Sequence, residues 1–130
     1  MGGCLPLRRD RSRAQIVRTT DAPSSPTYSQ AVKVDGTIRV SGTVGIDVKT
    51  SRIAGASIQE QTHQAIVNCR SILAAAGATL GDVVSVPVLL ATLADFAGMN
   101  EEYAKFFARH PPTSAVTRLG VELPNVLFQS

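Results

Sequence analysis

Residues 28–47 read YSQAVKVDGTIRVSGTVGID, and this stretch carries the clearest fold signal in the chain. Apolar and polar residues alternate on both sides of Asp35-Gly36, a pair typical of the two-residue turn between antiparallel strands. The pattern predicts strands at 30–34 and 37–44. Within the second strand, Ser41-Gly42-Thr43 interrupts the apolar series, where β-propensity favours large side chains. We interpret this small polar cluster as a patch of open backbone that could contact a ligand.

The next segment predicts a helix with a signal at each end. Ser57 is a favourable N-cap residue, and Glu60 completes a capping box. Gly77 is predicted to end the helix as a C′ glycine. Between them, one apolar face recurs at helical spacing through Ile58, Thr62, Ala65, Ile66, Cys69, Ile72, Leu73 and Ala76. A second helix is predicted at 95–109, before the terminating His110-Pro111-Pro112.

Further strands are predicted at 14–19, 83–90 and 117–123, and a last, incomplete strand begins at 126. Pro87 cannot donate a ladder hydrogen bond, so the strand at 83–90 needs an edge or a bulge there. The order of elements predicts an α+β domain in which two helices cover one face of a mixed sheet. We expect Val84, Val86 and Val88 to lie on the other face, and self-association to bury it.

Composition indicates a globular chain, with 44% hydrophobic and 18% charged residues. We predict a disordered basic extension at 1–13 and one domain at 14–130. The first 20 residues carry a net charge of +4 against +3 for the whole chain, so the domain is close to neutral. This argues against nucleic acid as a partner. The two cysteines and the short apolar runs favour a cytoplasmic protein without a membrane span, although the arginine-rich leader leaves organelle targeting open.

The histidines give no indication of a metal site. His63 and His110 stand apart from any cysteine or carboxylate at ligand spacing, and we expect His63 to lie on the solvated surface. The glycines lack the strand-to-helix context of a phosphate loop. We therefore expect neither a metal nor a cofactor.

Several segments, taken in order, resemble one known family. These are YSQAV at 28–32, Ser41-Gly42 with GID at 45–47, LAAAGATLGDVV at 73–84, LADFAGMNEEYAKFF at 93–107 and TRLGVELP at 117–124. Over about residues 15–130 the chain resembles the reactive-intermediate deaminase family, also called Rid or YjgF-like.

The resemblance implies both a fold and an activity. The family fold is a six-stranded mixed sheet with two helices on one face, like chorismate mutase, and three subunits form a homotrimer with sites between them. The implied reaction is hydrolytic deamination, without a cofactor, of 2-aminoacrylate, 2-iminobutanoate and related enamine or imine acids to 2-keto acids and ammonia. It implies substrate-binding roles for Tyr28, Ser41, Gly42, Asn100 and Gly120.

The carboxylate of such a substrate requires a planar, two-pronged donor, which is arginine. The resemblance implies one on the fifth strand, and two registers are open. One register places Arg118 there as the catalytic residue, which we prefer, and the other places Thr113 there. Gly120 stands where the family often has cysteine, and the family glutamate that positions water would follow Ser130.

Two other classes of function stay open. The first is a non-catalytic ligand-binding or regulatory trimer of the same family. The second is an endoribonuclease, which the near-neutral domain and its few aromatic residues make less favoured.

Overall fold

The computed structural model describes residues 14–118 and 126–129. In chain order, the strands and helices are β1 (Gln15–Val17), β2 (Ala31–Val34), β3 (Thr37–Val40), β4 (Ile46–Asp47), β5 (Arg52–Ile53), α1 (Ile58–Ala75), β6 (Ser85–Leu90), α2 (Phe96–Phe107), β7 (Thr113–Arg118) and β8 (Phe128–Gln129). Short 3₁₀ turns at Leu80–Asp82 and Leu93–Asp95 precede β6 and α2. The predicted extension at 1–13 lies outside the described residues.

The predicted hairpin is confirmed. β2 and β3 are antiparallel with Val34 opposite Thr37, and the turn residues Asp35 and Gly36 have φ of 50° and 76°. Positive φ at both positions gives the turn whose twist matches that of paired strands. β3 ends at Val40 and does not reach residue 44, so the polar cluster that follows is not part of the strand.

Both ends of α1 are also as predicted. The Ser57 hydroxyl accepts from the Glu60 N–H at 3.1 Å, and the Glu60 carboxylate accepts from the Ser57 N–H at 3.4 Å. At the other end, Gly77 has φ of 82°, and Ala78 donates its N–H to the Leu73 carbonyl at 2.8 Å. This is the glycine-dependent helix end that the sequence indicates.

β6 lies between β7 and β8. It pairs with β7 in parallel from Ser85 to Leu90, and with β8 in antiparallel fashion at Leu89 and Leu90. Beside Pro87, the β8 side of the strand has no partner in the described part of the chain. An open edge is where a strand tolerates a residue without an N–H, as predicted.

The prediction for the two faces of β6 was wrong. Val88 and Leu90 are 1% and 0% exposed and belong to the core under the helices, with Val86 packed against it. The open face instead carries Ser85, Pro87, Leu89, Thr113, Ala115 and Thr117. Val84 is 79% exposed, but it precedes the strand. A continuous apolar run lacks the alternation that would distinguish one face from the other.

The coarse architecture is confirmed: an α+β fold with two helices and mixed strands. The finer prediction of one six-stranded sheet differs from the hydrogen bonding, because the described strands pair in three groups, β1-β2-β3, β4-β5 and β7-β6-β8. The strand predicted at 117–123 begins earlier, at Thr113, and residues 119–125 lie outside the described residues. None of the described helices is long and apolar enough to cross a bilayer.

Candidate functional site

Three of the predicted site residues lie together. Tyr28, Ser41 and Gly42 line a cavity of about 110 Å³ between the end of the hairpin and α1. The other lining residues are Pro23, Ser24, Gln30, Thr43, Val44, Ile46, Asn68 and Ile72. Tyr28 is 57% exposed, so its ring stands at the surface of the subunit.

Backbone contacts hold the polar cluster beside the cavity. The Ser41 N–H donates to the Gln30 carbonyl at 3.0 Å, and the Ser41 hydroxyl donates to the Ser29 carbonyl at 2.6 Å. The hydroxyl oxygen keeps lone pairs that can still accept. Gly42 is exposed, and its N–H makes no hydrogen bond to any described residue. Within the described part of the chain, the Gly42 N–H is therefore a backbone donor available to a ligand, and no side chain of its own covers it.

Two buried carboxamides form part of the cavity wall, and sequence reasoning gave neither a role. Gln30 is 6% exposed and Asn68 is 1% exposed. Asn68 could have been noticed, because it is a polar residue on the otherwise apolar face of α1. The backbone also approaches closely here, since a Cβ on Gly45 would lie 2.5 Å from the Gln61 carbonyl oxygen. That approach accounts for a glycine between the two cavity-lining residues Val44 and Ile46.

All the described residues that line the cavity are uncharged. Arg118 is the last residue of β7, opposite Leu90, and it is exposed. Thr113 lies at the other end of the same strand, where its N–H and hydroxyl both donate to the Val84 carbonyl at 3.0 Å. Asn100 is exposed on α2. None of these three residues lines the cavity of its own chain, and Gly120 lies outside the described residues.

A charged cluster joins the two helices away from the cavity. Glu102 on α2 is 7% exposed; its carboxylate lies 2.8 Å from Lys105 Nζ and 2.9 Å from Nδ1 of His63 on α1. The hydrogen bond from Lys105, with a further one from His63, lowers the pKa of Glu102 below its ordinary value although burial opposes this. His63 also packs against Phe106, with ring centroids 5.3 Å apart. His63 is exposed at the surface, as predicted, and it also contacts Glu102, which lies 39 positions away along the chain.

Comparison with known proteins agrees with this fold. Residues 19–128 match the family model described as Endoribonuclease L-PSP. A RutC family protein of Pyrococcus abyssi is 43% identical over 88% of this chain and 91% of its own length. The 2-iminobutanoate/2-iminopropanoate deaminase of mouse is 40% identical over 78% of this chain and 76% of its own length.

A solved structure is similar over nearly the whole chain. The crystal structure of RidA from the Antarctic bacterium Psychrobacter superposes with a TM-score of 0.83 and 34% sequence identity, covering 88% of this chain and 94% of that one. With the family model and the relatives, this confirms the resemblance found in the sequence. The chain belongs to the RidA/YjgF family, the proteins also grouped as Ribonuc_L-PSP or RutC.

Proposed function

We propose that this chain hydrolyses small 2-imino acids and their 2-enamine tautomers to 2-keto acids and ammonia. The observation that carries the proposal is the 40% identity to the mouse 2-iminobutanoate/2-iminopropanoate deaminase over 78% of this chain. The cavity beside Ser41 and Gly42 supports it by its size. Since a water molecule occupies about 30 Å³ of liquid, about 110 Å³ has room for a small ligand in place of several water molecules.

The reaction makes modest chemical demands on the protein. The oxygen of water attacks C2 of the imine, the C=N double bond becomes a C–N single bond, and the nitrogen gains a proton. The resulting carbinolamine then loses ammonia as the C2–O bond becomes a carbonyl. Among the described residues, the cavity lining has no acidic or basic side chain. We therefore assign the activation of C2 to the substrate's own protonated imine, and positioning to the protein.

The substrate carboxylate needs a cation that the uncharged lining does not supply. We propose that another copy of the chain supplies it in a homotrimer, with Arg118 reaching the cavity edge at the interface. The exposed face that carries Pro87, Leu89 and Ala115 supports self-association. Thr113 remains the alternative occupant of the family's arginine position, and in that case the carboxylate would be held by hydroxyl and backbone donors.

The test is the rate of ammonia release from freshly generated 2-iminobutanoate. We expect Arg118→Ala to lower kcat/KM by about 100-fold, the loss of a charge-assisted two-pronged contact. Arg52→Ala, on β5 and outside the cavity lining, is the matched control and should leave the rate unchanged. If Arg118→Ala releases ammonia at the wild-type rate, Arg118 has no part in the mechanism. If Thr113→Ala lowers that rate instead, Thr113 occupies the family's arginine position.

The uncharged lining also favours a second candidate, a binding protein of the same family that does not catalyse. It would bind 2-oxobutanoate and release no ammonia from the imine above the uncatalysed rate. The family model's name raises endoribonuclease activity again. RNA binding that falls steeply with salt, together with cleavage, would favour that alternative.

A further inference from the structure

We propose that Gln30 and Asn68 make the cavity selective for anionic ligands, because their carboxamides cover carbonyl oxygens that would otherwise repel a carboxylate. They are positioning and specificity-determining residues, since neither is assigned a contact with the reacting atoms. The inference deepens the proposed function and rests on it, because a 2-imino acid carries a carboxylate.

Gln30 covers the wall formed by the loop before β2. Its Nε2 lies 2.9 Å from the Pro23 carbonyl, 3.0 Å from that of Ala22 and 3.1 Å from that of Thr19. Its Oε1 accepts from the Thr19 N–H at 2.8 Å, which fixes the orientation of the amide. Pro23 lines the cavity, so one of these carbonyls belongs to a residue of its wall.

Asn68 covers two further carbonyls of residues that line the cavity. Its Nδ2 donates to the Val44 carbonyl at 3.1 Å and to the Ile46 carbonyl at 2.8 Å, and both residues line the cavity. Gln64 donates to Asn68 Oδ1 at 2.9 Å, which sets the amide so that both of its N–H groups point at the carbonyls. A carboxamide at this position is required, because a carboxylate would offer acceptors where the wall needs donors.

Hydroxyl and backbone donors complete the pattern. Thr43 Oγ1 donates to the Ser41 carbonyl at 2.9 Å, and the Ser41 N–H donates to the Gln30 carbonyl at 3.0 Å. Among the described lining residues, the carbonyl oxygens of Pro23, Gln30, Ser41, Val44, Ile46 and Ile72 are thus in hydrogen bonds.

The consequence is a cavity whose described lining is uncharged and keeps two donors for a ligand. The Gly42 N–H and the Tyr28 hydroxyl make no hydrogen bond to any described residue, so they can donate to a ligand. An anion meets these donors beside carbonyls that Gln30, Asn68 and Thr43 already engage, which favours it even before a cation from a neighbouring chain arrives.

The experiment compares two ligands that differ in charge. Calorimetric titration of the full chain measures the Kd of 2-oxobutanoate, the product of the proposed reaction, and of 2-oxobutanamide, its neutral analogue. We expect wild type to prefer the carboxylate. In Gln30→Glu and Asn68→Asp, the Kd of the carboxylate should rise by about tenfold or more while that of the amide changes by less than about threefold.

Gln59→Glu is the matched control, because it also replaces a neutral amide by a carboxylate. Gln59 lies on α1, like Asn68, but outside the cavity lining. This control should leave both dissociation constants unchanged. Gln30→Met removes the donors without adding charge, and it should also reduce the preference for the carboxylate. This variant replaces the acidic ones in the test if they do not fold.

Two results would overturn the inference. Wild type could bind the two ligands equally, or the variants could lose both ligands by the same factor, which is what simple loosening of the loops produces. The proposed function is judged separately, by ammonia release. A wild-type protein that prefers the carboxylate but releases no ammonia would leave the carbonyl-covering role standing and remove the deaminase.

Discussion

The cavity wall and the charged cluster of Glu102, His63 and Lys105 both contain a buried polar side chain, but they use different chemistry. We call this charged cluster between α1 and α2 the joint. In the wall, the neutral amides of Gln30 and Asn68 bind backbone carbonyls of the loop residues Pro23 and Val44 and of Ile46 at the start of β4. In the joint, the carboxylate of Glu102 on α2 binds His63 on α1 and Lys105 on α2 itself. Loops without ladder partners need donors to satisfy their carbonyls, whereas helices satisfy their own backbone and leave side chains free to pair. We infer that changes in the wall alter ligand binding, and that changes in the joint alter stability alone.

The largest effect is expected from Gly45→Ala, in the wall. The new Cβ would lie 2.5 Å from the Gln61 carbonyl oxygen and 2.8 Å from its Cα, so the backbone of the loop or of α1 must move. We expect a loss of about 3 kcal/mol in the free energy of unfolding, measured by urea denaturation. Binding of 2-oxobutanoate should weaken as well. A variant that loses stability but binds 2-oxobutanoate normally would contradict the inference that changes in the wall alter ligand binding.

Gly77→Ala is a reference outside both regions. Gly77 has φ of 82°, and a Cβ there would meet no atom within 4 Å, so the cost comes from the backbone conformation alone. We expect a loss of about 1 kcal/mol in the free energy of unfolding and unchanged ligand binding. Gly81→Ala, where φ is not positive and the nearest atom to the new Cβ is 3.5 Å away, is the control and should cost much less.

The smallest effect at neutral pH is expected from Glu102→Gln, in the joint. Because the folded state lowers the pKa of Glu102 below its ordinary 4.5, the carboxylate contributes stability above that pH. The contribution is lost as the pH falls through the lower folded value. Thermal unfolding should therefore show a gap between wild type and Glu102→Gln at pH 7 that narrows below about pH 4.

Glu101→Gln tests whether this pH dependence belongs to the joint. Glu101 is the exposed neighbour of Glu102 on the same helix, and it makes no hydrogen bond or short ion pair with a described residue. It should unfold like wild type at both pH values. If Glu102→Gln changed the Kd of 2-oxobutanoate, this would contradict the inference that changes in the joint alter stability alone.

The parts of the fold that local chemistry determines could be predicted from the sequence. Asp35-Gly36, the Ser57–Glu60 capping box and Gly77 each act within a few residues. The faces of β6 could not be predicted, because a run such as SVPVLL does not alternate and only the packed helices decide which side is buried. The start of β7 at Thr113 was missed for a related reason, since its pairing with β6 is long-range.

The candidate site divides in the same way. Tyr28, Ser41 and Gly42 were found from a break in the strand pattern and from the family resemblance, and they do line one cavity. The roles of Gln30 and Asn68 were missed, because their partners are carbonyls of distant loops that leave no trace in side-chain spacing. The roles predicted for Arg118 and Asn100 remain predictions, since they require a second copy of the chain.

The most direct test of the account is the release of ammonia from freshly generated 2-iminobutanoate in the presence of the purified wild-type chain. We expect release well above the spontaneous rate, with 2-oxobutanoate formed in equal amount and no added cofactor. A rate equal to the spontaneous one, in a sample that binds 2-oxobutanoate, would contradict it.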